Sequence, residues 1–144
     1  MYVKNTNVNF YDYEIDEYER ILRDLKEDMA AHAISPFFFA NAGTILRREN
    51  FMKRRLYSAE VFVFVDREYV DEELITVIPP SPYLCIYCDR FEKEKEYIDR
   101  LLVEIEEKHY TVTGDYICEV IVEMPLDYTE RGMFLRLQVP IRMG

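Results

Sequence analysis

Tyr116-Ile117-Cys118-Glu119-Val120-Ile121-Val122-Glu123-Met124 alternates with a period of two, the pattern of a β-strand. One side of it, Tyr116, Cys118, Val120, Val122 and Met124, is wholly apolar and is expected to meet helices, whereas the other carries Ile117, Glu119, Ile121 and Glu123. The second side is the informative one, because it sets Glu119 between two isoleucines on the side that helices do not cover. Were two such sheet halves to curve toward each other, that side would become a cleft. A carboxylate in it would be only partly hydrated, a deficit that a bound cation makes good. The plain alternative is a glutamate pointing to water from an antiparallel sheet, and periodicity alone leans that way.

The segment Asp16 to Ala33 places Tyr18, Ile21, Leu22, Leu25 and Met29 at helical spacing, and Ser35-Pro36 stops it. A second helix, Glu92 to Lys108, is expected to bury Tyr97, Leu101, Leu102 and Ile105. Each helix follows an extended stretch, Tyr2 to Tyr13 and Leu74 to Cys88, and precedes two more strands. These are Phe37 to Leu46 with Ala59 to Val65 in the first half, and Thr111 to Met124 with Met133 to Ile141 in the second. The expected fold is therefore α+β: two pseudo-duplicated β-α-β-β repeats, about 1–70 and 71–144, offset by roughly 77 to 79 residues. They would share one core in a single domain, with an antiparallel sheet, helices on one side and a ligand cleft on the other. Asp66 to Glu73 is the expected seam, and Pro79-Pro80-Ser81-Pro82 a sharp bend before or within the strand that ends at Cys88. In the last strand Met133, Leu135, Leu137, Val139 and Ile141 form a packing side and Phe134, Arg136, Gln138 and Pro140 a wetter one.

Composition narrows the function. In 144 residues, 49% hydrophobic content is enough for a real core, and a formal charge of -10 disfavours a free nucleic-acid binder, since neutralising phosphates needs the opposite sign. No apolar run approaches the roughly 18 to 20 residues that span a bilayer. The opening Met1-Tyr2-Val3-Lys4 lacks the apolar core of a secretory signal, which makes the expected address cytoplasmic. Three cysteines, an odd number, agree with a reducing compartment. Twelve Tyr and nine Phe beside no Trp supply either core or the lining of a site. Tyr83, Cys85 and Tyr87 share one side of the strand within Leu74 to Cys88, and Phe37 and Phe39 one side of the second. Aromatic walls around a carboxylate would make a cation receptor, each cation-π contact contributing roughly 0.5 to 2 kcal/mol. Cross-strand packing is the equally common alternative.

Other signals carry less. Cys85 and Cys88 have C-x-x-C spacing, but on a strand these positions point to opposite sides and do not easily share a metal. His32 and His109 stand at helix ends, and neither a metal nor a cofactor is expected. Arg47, Arg48, Lys53, Arg54 and Arg55 read as a solvated hairpin connection. No Ser-His-Asp constellation, P-loop or dinucleotide fingerprint is present, so no catalytic residue is assigned and an enzyme is not expected.

Gly43-Thr44-Ile45-Leu46-Arg47-Arg48-Glu49-Asn50, Tyr57, Val61-Phe62-Val63, Ile78-Pro79, Tyr83-Leu84-Cys85-Ile86, Tyr97, Leu101-Leu102, Gly114-Asp115-Tyr116 and Glu119 occur in that order. Together they resemble the effector-binding domain at the C-terminus of MerR-type multidrug regulators. The freestanding gyrase-inhibitor-like (GyrI-like) proteins share that fold family. The resemblance implies a ligand sensor for transcription regulation that takes lipophilic or aromatic cations. Glu119 matches the family's buried glutamate, Tyr83 an aromatic pocket position and Ile121 the apolar position two residues on. Met133 falls near a family tyrosine, Tyr87 lies beside Cys88 where a sensor carries Tyr, and Tyr18, Phe37 and Phe39 align loosely with further pocket aromatics. Family regulators begin with a helix-turn-helix, to which nothing in this sequence corresponds, so any DNA contact would fall to that absent domain. The expected partner is the small molecule, with no membrane and with a homodimer left open. The alternative is a freestanding relative that binds a macromolecule, or sequesters or hydrolyses a toxic small molecule with Glu119 as base.

Overall fold

Ile21, Leu25 and Met29, spaced by four, form the buried stripe of helix α1 (Ile15–Ala31), and Arg23, Asp24, Lys26 and Glu27 between them face outward. The structure, a computed structural model, describes residues 1–6, 9, 11, 15–35, 42–90, 93–125 and 131–143, with the backbone alone for 15–19, 122–125 and 131–133. The protein is α+β, and besides two short 3-10 turns (Arg67–Tyr69 and Glu72–Leu74) its other described elements are β1 (Tyr2–Asn5), β2 (Ala42–Leu46), α2 (Arg48–Met52), β3 (Glu60–Val63), β4 (Tyr83–Cys88), α3 (Glu94–Glu107), β5 (Thr111–Val112), β6 (Tyr116–Pro125) and β7 (Arg131–Arg142). The chain forms two compact units, Met1–Ile45 with Tyr57–Pro79, and Leu46–Leu56 with Pro80–Gly144. Among the described residues no helix is long and apolar enough to cross a membrane.

In the first unit β3 pairs antiparallel with both β1 and β2, giving the order β1-β3-β2. Tyr2, Ala42 and Val63 are register partners, so they share one side, and α1 covers it with Ile21, Leu25 and Met29. The helix ends in a Schellman turn in which the Ala33 N–H donates to the Ala30 carbonyl and the Ile34 N–H to that of Met29. Ala33 takes the left-handed conformation that this turn requires, and Ile34 and Met29 pack together in the core.

Tyr2 carries the polar edge of this unit. Its ring is buried, and its hydroxyl donates to the Asp28 carboxylate, which Lys4 also approaches at 3.8 Å. Burial first, and then the bond to Asp28 and its charge, push the Tyr2 hydroxyl up to about 12. Folding therefore favours the neutral phenol. Its stabilisation is complete below the unfolded value near pH 10 and is lost as pH rises through about 12. Denaturation midpoints followed from pH 9 to 12 are expected to fall less steeply in Tyr2→Phe than in the wild type; parallel curves would exclude the linkage.

The second unit has the order β6-β7-β4, with β5 on the end of β7, and every pair is antiparallel. Leu135, Leu137, Val139 and Ile141 of β7 are buried on one side together with Tyr116 and Cys118 of β6. The ridge Ile98, Leu101, Leu102 and Ile105 is the buried stripe of α3. Tyr97, expected in that stripe, is only half-buried and instead has the Arg100 guanidinium over its ring at 4.6 Å. Residues 47–55 lie in the connection between antiparallel β2 and β3, with all five basic residues exposed as expected, but the connection is more than a solvated turn. It contains α2, whose Phe51 is fully buried and stacks on Tyr116 with ring centres 5.3 Å apart. Asp115 holds the start of that helix by accepting from the Arg48 backbone N–H at 2.7 Å and from Arg47 Nη1 at 3.0 Å. Gly114, which breaks the expected continuous strand into β5 and β6, approaches Pro140 so closely that a Cβ would lie 2.8 Å from the ring.

Candidate functional site

Strand register builds the site. Glu119 of β6 stands opposite Arg136 of β7, and Arg136 stands opposite Tyr87 of β4, so a carboxylate, a guanidinium and a phenol form one row across three strands. The next row is Ile117, Gln138 and Cys85, followed by Pro140 and Tyr83. Directly paired residues project to the same side, so all of these lie opposite the side that carries Leu135, Leu137 and Tyr116.

Exposure grades along the first row. Glu119 retains 4% of its accessible surface, the Arg136 side chain 36% and Tyr87 52%, which makes the carboxylate the dry end. Arg136 Nη2 donates to Glu119 Oε2 at 2.7 Å, and Gln138 Nε2 approaches the same oxygen at 3.4 Å. A charge-assisted bond of that length supplies most of what the buried carboxylate loses in leaving water. Oε1 accepts no hydrogen bond from the described residues. The bond to Glu119 raises the Arg136 guanidinium above its ordinary value. Among the described residues Arg136 Nε is the buried side-chain nitrogen left without a partner.

The surrounding groups are apolar or neutral. Tyr87 stacks on Phe134 with ring centres 5.6 Å apart and planes 16° from parallel. Burial pushes the Cys85 thiol up; the charge of Arg136 opposes this and that of Glu119 adds to it. Cys85 is therefore a thiol and a poor nucleophile at neutral pH. Burial also raises Tyr83. On the opposite side, Tyr116 donates to the buried carboxylate of Glu94 at 3.0 Å, and burial holds Cys118 well above its usual value. Among the described residues no three His, Cys, Asp or Glu side chains are grouped to hold a metal.

The residues singled out from sequence divide into three groups. Glu119, Tyr83 and Tyr87 lie on one side of the second unit's sheet. Ile121 is the extra residue at a register shift between Val120 and Val122, so strict alternation does not place it beside Glu119. Met133 pairs with Glu123 in the backbone register, Tyr18 lies in α1, and the side chains of both are outside the described residues, as are Phe37 and Phe39 altogether. Sequence reasoning missed Arg136 and Gln138 as partners of Glu119. The signal was present in their alternation with Phe134 on the wetter side of β7, although pairing them with Glu119 requires the register. The counter-charge expected from a bound cation is thus supplied, at Oε2, by the protein's own guanidinium. Comparison with family models, with curated proteins and with solved structures gives no match to this chain.

Proposed function

We propose that the chain is a ligand-sensing domain of a transcription regulator that binds aromatic, cationic small molecules on the Glu119 side of the second unit's sheet. The observation that carries this reading is a carboxylate, 4% exposed, in a row with Tyr87, whose second oxygen is free of hydrogen bonds from the described residues. Oε1 would receive the ligand's positive charge, and Tyr83 and Tyr87 would line its rings. Affinity would come chiefly from aromatic and apolar area at roughly 25 cal/mol per Å², with the carboxylate setting charge preference. The duplicated β-α-β-β architecture with a ligand cleft belongs to the same proposal. The strand orders support the duplication: in each unit the first strand pairs with the last, and the last with the one between. A cytoplasmic regulator would contact DNA through a separate helix-turn-helix segment.

Glu119→Gln turns a neutral pair into a lone guanidinium. It is expected to weaken an aromatic trimethylammonium ligand by more than about tenfold, or 1.4 kcal/mol, and to leave its uncharged tert-butyl isostere within about threefold. Titration calorimetry with both compounds checks this. Equal losses would remove the charge role, and binding of neither compound by the wild type would remove the sensor reading.

A further inference from the structure

We propose that Arg136 is the specificity-determining residue of this site and that it selects aromatic zwitterions over aromatic monocations. The inference rests on the ligand-site reading above. Glu119 is not a bare anion waiting for a cation, because Arg136 Nη2 already holds Oε2 at 2.7 Å. The pair is neutral in sum, but its two ends differ. Glu119 is buried and offers Oε1, whereas the Arg136 side chain is 36% exposed and still has N–H donors beyond the one given to Glu119.

A monocation that reaches Oε1 gains the carboxylate but comes to rest beside a guanidinium, and the two Coulomb contributions largely cancel. A ligand bearing a second, anionic group escapes that cancellation. Its cation meets Oε1, its carboxylate meets the outward face of Arg136, and charges alternate along the row from ligand to Glu119 to Arg136 and back to ligand. Strands lie about 4.8 Å apart, so the ligand charges should stand roughly 5 to 10 Å from each other, farther than in a simple α-amino acid. The aromatic body would rest on Tyr87, which is half-exposed and already stacked on Phe134 at the end of the same row.

Rhodamine B, a zwitterion at neutral pH, and its ethyl ester, a monocation on the same xanthene frame, are suitable probes read by fluorescence polarisation. The wild type is expected to bind the zwitterion at least about fivefold more tightly than the ester, and Arg136→Met to reverse that order by relieving the ester of repulsion. Arg136→Lys keeps the charge, should retain the wild-type order, and covers the case in which Arg136→Met does not fold. Equal or tighter binding of the ester by the wild type, or an unchanged ratio in Arg136→Met, overturns the inference and leaves the ligand-site reading standing. Failure of both dyes to bind any of the three proteins overturns that reading and this inference with it.

Discussion

Truncating Phe51 to alanine is expected to lower the unfolding free energy by about 3 to 5 kcal/mol, the range for deleting a fully buried ring that its neighbours cannot replace. Phe51 belongs to a helix of only five residues, α2, too short to hold itself together by hydrogen bonding. The helix persists because Asp115 satisfies its first backbone N–H and because Phe51 stacks on Tyr116. Tyr116 is itself fixed through its bond to buried Glu94. Removing the ring therefore opens a cavity and frees one face of Tyr116, three residues before Glu119 on the same strand. In urea titrations the loss should appear as a lower midpoint, and in thermal melts as a fall of roughly 10 to 15 °C. The adjacent Met52→Ala, in a half-exposed side chain, is the control and should stay within about 0.5 kcal/mol of the wild type. A loss below about 1 kcal/mol for Phe51→Ala would mean that α2 is an appendage and not part of the packing that holds β6.

Which features could be read from the sequence follows from the range of the forces involved. Apolar periodicity is local, so α1, α3, the packing side of β7 and the shared side of Tyr83, Cys85 and Tyr87 could all be read directly. The same holds for Cys85 and Cys88, exposed and buried respectively as alternation requires. At residues 47–55 charge told only half. The five basic groups are exposed as they suggest, with Arg47 and Arg54 paired to Asp115 and Asp99, but Phe51 among them is buried and anchors a helix. The register shift after Val120 has no sequence signal of its own, since it adds no Gly or Pro to an apolar run, yet it decides where Ile121 stands. Most consequential was the partner of Glu119. Its alternation was legible from residues 116–124, but whether it meets water, a ligand or an arginine depends on which residue of another strand lies opposite. Only pairing fixes that.

Arg136→Met and Glu119→Gln break the same bond but should not cost the same. Without Arg136, Glu119 keeps its burial and, among the described residues, only Gln138 at 3.4 Å remains to donate to it, so the carboxylate bears nearly the whole desolvation penalty. Losses of about 3 to 5 kcal/mol are typical when a buried pair loses one member, and the partial exposure of Arg136 places this site at the low end, near 3. Glu119→Gln leaves the other partner behind, a guanidinium that is already a third exposed and can turn its donors to water, so the expected loss is about 1 kcal/mol. The double variant Glu119→Leu with Arg136→Met removes both charges and should recover to within about 1 kcal/mol of the wild type, because apolar replacement of a buried pair is often neutral. Urea denaturation of the four proteins at neutral pH measures these three differences from the wild type. Equal losses in the two single variants would mean that Glu119 is hydrated in solution, and a site with a wet carboxylate has no reason to prefer one ligand charge over another. The unequal outcome means that the carboxylate is held dry by one side chain, and a ligand able to satisfy Oε1 without dislodging Arg136 stabilises the fold as it binds.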